Sequence, residues 1–161
     1  WERDPSVWHR NAEHFWRAAR TQYQEEPYQL ALFLPTYFLV GHSIELTLKG
    51  FLLSEGYPLD KRARRPGCTL PTMFDLGHDL DALTEQARLA GLVVTLSEIG
   101  WPSISRLNEL HDAQETRFPG RDAMIVLSDP RSLLEDAKRL IDATRAACTA
   151  GITTPKTEPT P

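Results

Sequence analysis

The most continuously apolar segment of the chain is Phe38 to Leu53, FLVGHSIELTLKGFLL. On a helix, Leu39, Ile44, Leu46, Leu48 and Phe51 cover most of its circumference. A helix that is apolar nearly all round belongs in the middle of a bundle. The same segment carries three ionisable residues, His42, Glu45 and Lys49. Offsets of three and seven, at about 100° per residue, put them within roughly 60° of one another on one face. Breaking one member out of a buried charge pair costs roughly 3–5 kcal/mol. These groups must therefore satisfy one another or meet partners from other helices, as a structural polar network or as a site. On the opposite side, Ser43, Thr47, Gly50 and Ser54 form a row of small residues. Such a row lets another helix approach closely. An internal contact is expected there, and a subunit interface is the alternative.

The central helix is predicted over about 31–55. Pro35 either opens it or kinks its first turn, and Gly56 stops it. Ahead of it, Trp8, Ala12, Phe15, Trp16, Ala19 and Tyr23 recur at helical spacing and predict a helix over 5–25, ended near Pro27. That aromatic stripe reads as core packing rather than a ligand shelf. Residues 57–76 form a long connection broken by three prolines and one glycine. Connections of this length are often functional or mobile. Gly77, His78 and Asp79 introduce a third helix over 79–90, with Asp79 as N-cap or first-turn acid. Its inward stripe is Leu80, Leu83, Ala87 and Leu89, and Gly91 stops it. The β-branched run at 92–96 has no partner strand, so it predicts a connector or the start of the next helix. A fourth helix is expected over about 102–116, with Ile104, Leu107, Leu110 and Ala113 inward, closed by Arg117 to Gly120. Asp129–Pro130 is a strong helix start. The fifth helix runs to about Ala150, burying Leu133, Leu134, Ala137, Leu140, Ile141 and Ala147. The pattern gives one all-α domain over 1–150 and a disordered tail over 151–161.

At 161 residues and 41% hydrophobic content the chain can build one ordinary core. Its net charge of −4 argues against a uniformly basic, sequence-blind nucleic-acid coat. The one dense basic patch, Lys61, Arg62, Arg64 and Arg65, reads either as a solvated loop or as a phosphate contact. Cys68 and Cys148 are far apart and unpaired in pattern, which gives no zinc site or disulfide framework. A reducing, cytoplasmic setting is expected. No segment reads as a membrane span or a signal peptide, and the start at Trp1 rather than Met leaves room for preceding residues.

The chain has no G-x-S-x-G, Walker A, GxGxxG, HExxH or paired CxxC motif. His42, Glu45 and His78 could converge on a metal, but Lys49 in the same stripe would compete with a cation, so neither metal nor cofactor is expected. His9 and His14 read as surface or packing residues. Arg106 and His111 form an R-x4-H pattern. Arginine can neutralise a phosphate and histidine can move a proton to or from a ribose hydroxyl, which together cleave RNA without metal. About one arginine followed by histidine after four to six residues is expected by chance in this composition, and Arg3 with His9 supplies another. An offset of five leaves the two side chains about 140° apart on one helix. Convergence needs long rotamers, a kink or a second subunit.

The succession HSIELTLKGFLLSEG, GHDLDALTEQA and SRLNELHDAQETRFPG, over about 40–120, resembles the HEPN superfamily of small all-α domains. His-x-x-Glu-x-x-x-Lys followed by Gly-His-Asp-Leu carries the likeness. The resemblance implies an up-and-down bundle of about five helices and a homodimer. Many HEPN proteins are metal-independent endoribonucleases in toxin–antitoxin, abortive-infection or CRISPR-linked defence, with an R-x4–6-H signature and often a polar residue after the arginine. Here Leu107 follows Arg106, and Asn108 stands one position later. Other members are catalytically silent and bind nucleotides, RNA or partner proteins.

Two functions follow from the resemblance. In a ribonuclease, Arg106 would hold the scissile phosphate, His111 would act as acid or base, and Asn108 would orient one of them. Lys49 or Arg117 would add phosphate contacts, and an antitoxin or nucleotidyltransferase-like protein would be the partner. In a silent module, His42, Glu45, Lys49, His78 and Asp79 would form a buried network holding the loop-rich end. Glu45 and Lys49 would pair at i,i+4, with His78 capping the network.

Overall fold

The computed structural model describes residues 3–25, 30–112 and 129–150, and every regular element among them is a helix. The helices are α1 (Pro5–Glu25), α2 (Leu30–Ser54), α3 (Met73–Leu76), α4 (Leu80–Leu89), α5 (Gly100–Asp112) and α6 (Pro130–Ala150). They form a helical bundle around α2, whose Val40, Ile44, Leu48 and Leu52 are fully buried. Pro35 falls inside α2 rather than at its opening. There it leaves the carbonyl four residues earlier without its helical partner.

The row of small residues on α2 makes an internal contact with α1. Ser43 Oγ donates to the Ala12 carbonyl at 2.8 Å. A methyl group on Gly50 would stand 3.2 Å from Trp8 Cβ and 3.3 Å from the Pro5 carbonyl. The order of these contacts makes the pair antiparallel. Helix α6 also runs antiparallel to α1, joined by two side-chain donors seven residues apart. His9 Nε2–H donates to the Ile141 carbonyl at 2.9 Å, and Trp16 Nε1–H to the Leu134 carbonyl at 2.8 Å. His9 is buried, so it is a packing residue that ties two helices together.

The connection after α2 is more ordered in pattern than a plain loop. Thr72 and Asp75 form a reciprocal capping box: Asp75 N–H donates to Thr72 Oγ1 at 3.0 Å, and Thr72 N–H to Asp75 Oδ2 at 2.9 Å. That box starts the short α3, which buries Met73 and Leu76. Met73 N–H reaches back to the Pro58 carbonyl at 3.1 Å, so the connection is strapped onto the end of α2. In the basic loop, Arg64 pairs with Asp75 at 3.2 Å, while Lys61, Arg62 and Arg65 are exposed.

Asp79 is the N-cap of α4, accepting from Asp81 N–H at 2.9 Å and Ala82 N–H at 3.0 Å. The inward stripe is Leu80, Leu83, Thr84 and Ala87. Leu89, expected inward, is 70% exposed. The reason is the helix end: Gly91 adopts φ 96°, Leu92 N–H returns to the Ala87 carbonyl at 2.9 Å, and Leu92 is buried in its place. The 92–96 run is a connector. Helix α5 then starts two residues earlier than expected, with Pro102 in its first turn. The rest of the predicted 102–116 helix beyond Asp112, the Arg117–Gly120 stop and the tail at 151–161 lie outside the described residues. No helix among the described residues is long and apolar enough to cross a membrane.

Candidate functional site

Glu45 is the hub of the polar stripe on α2. Its side chain is 3% exposed and that of Lys49 is 9% exposed. Lys49 Nζ donates to Oε1 at 2.6 Å, the i,i+4 pairing that α2 geometry favours. His78, two residues before α4, donates from Nδ1 to the same oxygen at 3.0 Å. His42 Nδ1 stands 3.3 Å from Oε2. The His42 ring meets the edge of Phe15 from α1, centroids 4.5 Å apart, and stacks over Phe38 at 5.8 Å. The carboxylate is therefore bonded from its own helix and from the segment leading into α4.

Chemically this arrangement holds a negative charge in the core by surrounding it with donors. It also orients the His78 ring, which is about half exposed. An Nδ1–H bond to a carboxylate leaves Nε2 as the basic nitrogen of the neutral ring. His42, Glu45 and His78 do converge, but both histidines turn Nδ1 to the carboxylate and Lys49 lies against it. Among the described residues no group of three His, Cys, Asp or Glu side chains could hold a metal ion.

Asp79 does not join this hub. Its Oδ1 caps α4 and accepts from Asn108 Nδ2 at 3.0 Å. An aspartate just ahead of a helix has two backbone N–H groups within reach, and they outcompete a more distant lysine. Asn108 belongs to the same second cluster. Its Oδ1 accepts from Leu80 N–H at 2.6 Å, and Nδ2 also donates to Asp81 Oδ2 at 3.2 Å. Ser105 Oγ adds a bond to Asp81 Oδ2 at 3.0 Å. Asn108 thus clamps the first turn of α4 to α5. Arg106 lies on an exposed face of α5, paired with Glu109 at 3.1 Å. His111 is on the last turn of α5, but its side chain and all of Arg117 lie outside the described residues.

A third polar centre carries no sequence motif. Asp136 of α6 is buried, and it accepts from Ser97 N–H at 2.8 Å, Ser97 Oγ at 2.5 Å and Arg139 at 3.0 Å. Gly100 makes room for it: a Cβ there would lie 2.7 Å from Asp136 Oδ2 and 2.6 Å from Leu96 Cβ. The signal was present in the spacing, since Asp136 sits three residues after Leu133 and four before Leu140 on the buried face of α6.

Comparisons of the chain with family models, with curated proteins and with solved structures returned no match.

Proposed function

We propose that this chain is an HEPN-like helical module that, as a homodimer, binds RNA without cutting it. The resemblance of the His-x-x-Glu-x-x-x-Lys and Gly-His-Asp-Leu segments motivates the class. The observation that carries the silent reading is the occupation of Asn108. Its carbonyl oxygen caps Leu80 N–H and its amide bonds Asp79 and Asp81. The polar residue expected to orient Arg106 or His111 therefore serves α4. The Glu45 hub fits the same reading as a structural clamp, because its carboxylate is already loaded with donors.

One observation favours the second reading, a metal-independent ribonuclease of a toxin–antitoxin or phage-defence system with an antitoxin or nucleotidyltransferase-like partner. The Arg106 side chain is 53% exposed on α5, five residues before His111. Incubating the protein with labelled single-stranded RNA in EDTA separates the two. Intact RNA supports the binding module. Products ending in a 2′,3′-cyclic phosphate, abolished in Arg106→Ala and His111→Ala, support the nuclease.

A further inference from the structure

A groove of about 750 Å³ runs between α1 and α6, with Trp16 and Leu134 among its lining. Four cations face it, Arg20 from α1 and Arg131, Lys138 and Arg139 from α6, against the single carboxylate of Glu135. Carboxylates of α6 offset two of the four, so the charge left to face a ligand is that of Arg20 and Arg131 against Glu135. Lys138 is paired with Asp142 and Arg139 with Asp136. Arg20 and Arg131 make no ion pair among the described residues.

Trp16 is fixed in this groove. Its indole N–H is bonded to the Leu134 carbonyl, which orients the ring. The Arg20 guanidinium lies 5.5 Å from the ring centroid and the Lys138 ammonium 5.7 Å. Arg131 and Lys138, seven residues apart on α6, are separated by roughly 10 Å along the helix axis. Leu134, which anchors the indole, lies between them. Cations from both helices therefore lie close to an anchored aromatic ring.

Single-stranded nucleic acid is bound by this combination. Bases stack on aromatic rings, and a positively charged groove follows the phosphates. We infer that the α1/α6 groove is the docking site for single-stranded RNA, with Trp16 as the base platform and Arg20 and Arg131 as phosphate contacts. The identity of the ligand rests on the RNA reading above; the location of the site rests on the groove itself. The site lies on α1 and α6, apart from the Arg106–His111 pattern on α5.

The test is fluorescence anisotropy of a labelled single-stranded 12-mer RNA with the full chain, over a range of salt. The double variant Arg20→Glu, Arg131→Glu is expected to lose at least tenfold in affinity. Its helix content should be unchanged by circular dichroism, because both residues are exposed and unpaired among the described residues. Each single Gln substitution should flatten the slope of log K against log salt by about 0.7. Trp16→Phe, which keeps an aromatic ring in the helix interface, should weaken binding several-fold. The loop variant Lys61→Glu, Arg62→Glu should bind within twofold of wild type. Wild type that binds while the Arg20/Arg131 variant binds equally well overturns the groove assignment and leaves the RNA reading standing. Wild type with no measurable binding removes both. An oligoglutamate peptide that displaces RNA at equal concentration would mark a site for acidic protein and overturn the assignment.

Discussion

At the residue scale, the molecule's most consequential side chain is Glu45. A carboxylate this deeply buried is stable only while its donors are present. Lys49→Met should therefore destabilise the fold by about 3 kcal/mol in denaturant unfolding. Replacing both members, Glu45→Leu with Lys49→Met, should cost less than either single change, because no charge is left uncompensated. A double variant at the sum of the singles would remove the pairing account. Gly100 gives a second residue-scale prediction with an unusual sign. Glycine to alanine on a helix ordinarily gains up to about 1 kcal/mol. Here the new methyl would overlap Leu96 and Asp136, so Gly100→Ala should cost about 1–3 kcal/mol by the same unfolding measurement. The stripe on α2 was legible because its three members share one helix and its period. The N-cap role of Asp79 was legible too, but its expected place in the Glu45 network fails, because two backbone N–H groups of α4 and Asn108 take its carboxylate.

At the element scale, local chemistry decides what hydrophobic period leaves open. The short α3 was hidden inside a proline-broken segment, although its Thr-x-x-Asp capping box was visible in principle. The end of α4 at Gly91 is as the sequence predicts, but the inward placement of Leu89 fails for a similar reason. Leu89 fits the helical period, but the left-handed Gly91 turns the chain so that Leu92 enters the core instead. The capping box also predicts a pH response. The backbone N–H of Thr72, followed by its side chain and the nearby Arg64 and Lys61, holds the Asp75 carboxyl below its ordinary value of 3.8. A depressed carboxyl favours the folded turn well above that value. The contribution disappears as pH falls through the lowered value and the carboxylate is protonated. Amide hydrogen exchange at Thr72 and Asp75 should therefore lose protection in acid before the amides of α2 do. Equal loss in both elements at the same pH would contradict this.

At the scale of the whole molecule, the core position of α2, a close internal helix contact along its small-residue row and the helix start at Pro130 were readable from pattern alone, whereas the partner in that contact, α1, was not. The burial of Asp136 was readable in its spacing on α6, but its partners were not, because the centre joins three segments that only the fold brings together. The fold also separates the two thiols. Burial pushes the Cys148 thiol up to about 12, with Glu55 adding to it, whereas Cys68 is only partly covered. A disulfide-exchange reagent at pH 8 should therefore modify one thiol of the native chain, Cys68, and reach Cys148 only after unfolding. Rapid modification of both would show that α6 opens freely.

The proposed function makes one demand of all three scales: a bundle clamped around Glu45, with Asn108 bonded to α4, would bind RNA and leave it whole. The most direct measurement follows labelled single-stranded RNA with purified protein in EDTA, reading complex formation and strand integrity in the same sample. The account predicts a retarded complex containing full-length RNA, unchanged by Arg106→Ala or His111→Ala. Strand scission that yields a cyclic phosphate and vanishes in those two variants would contradict it.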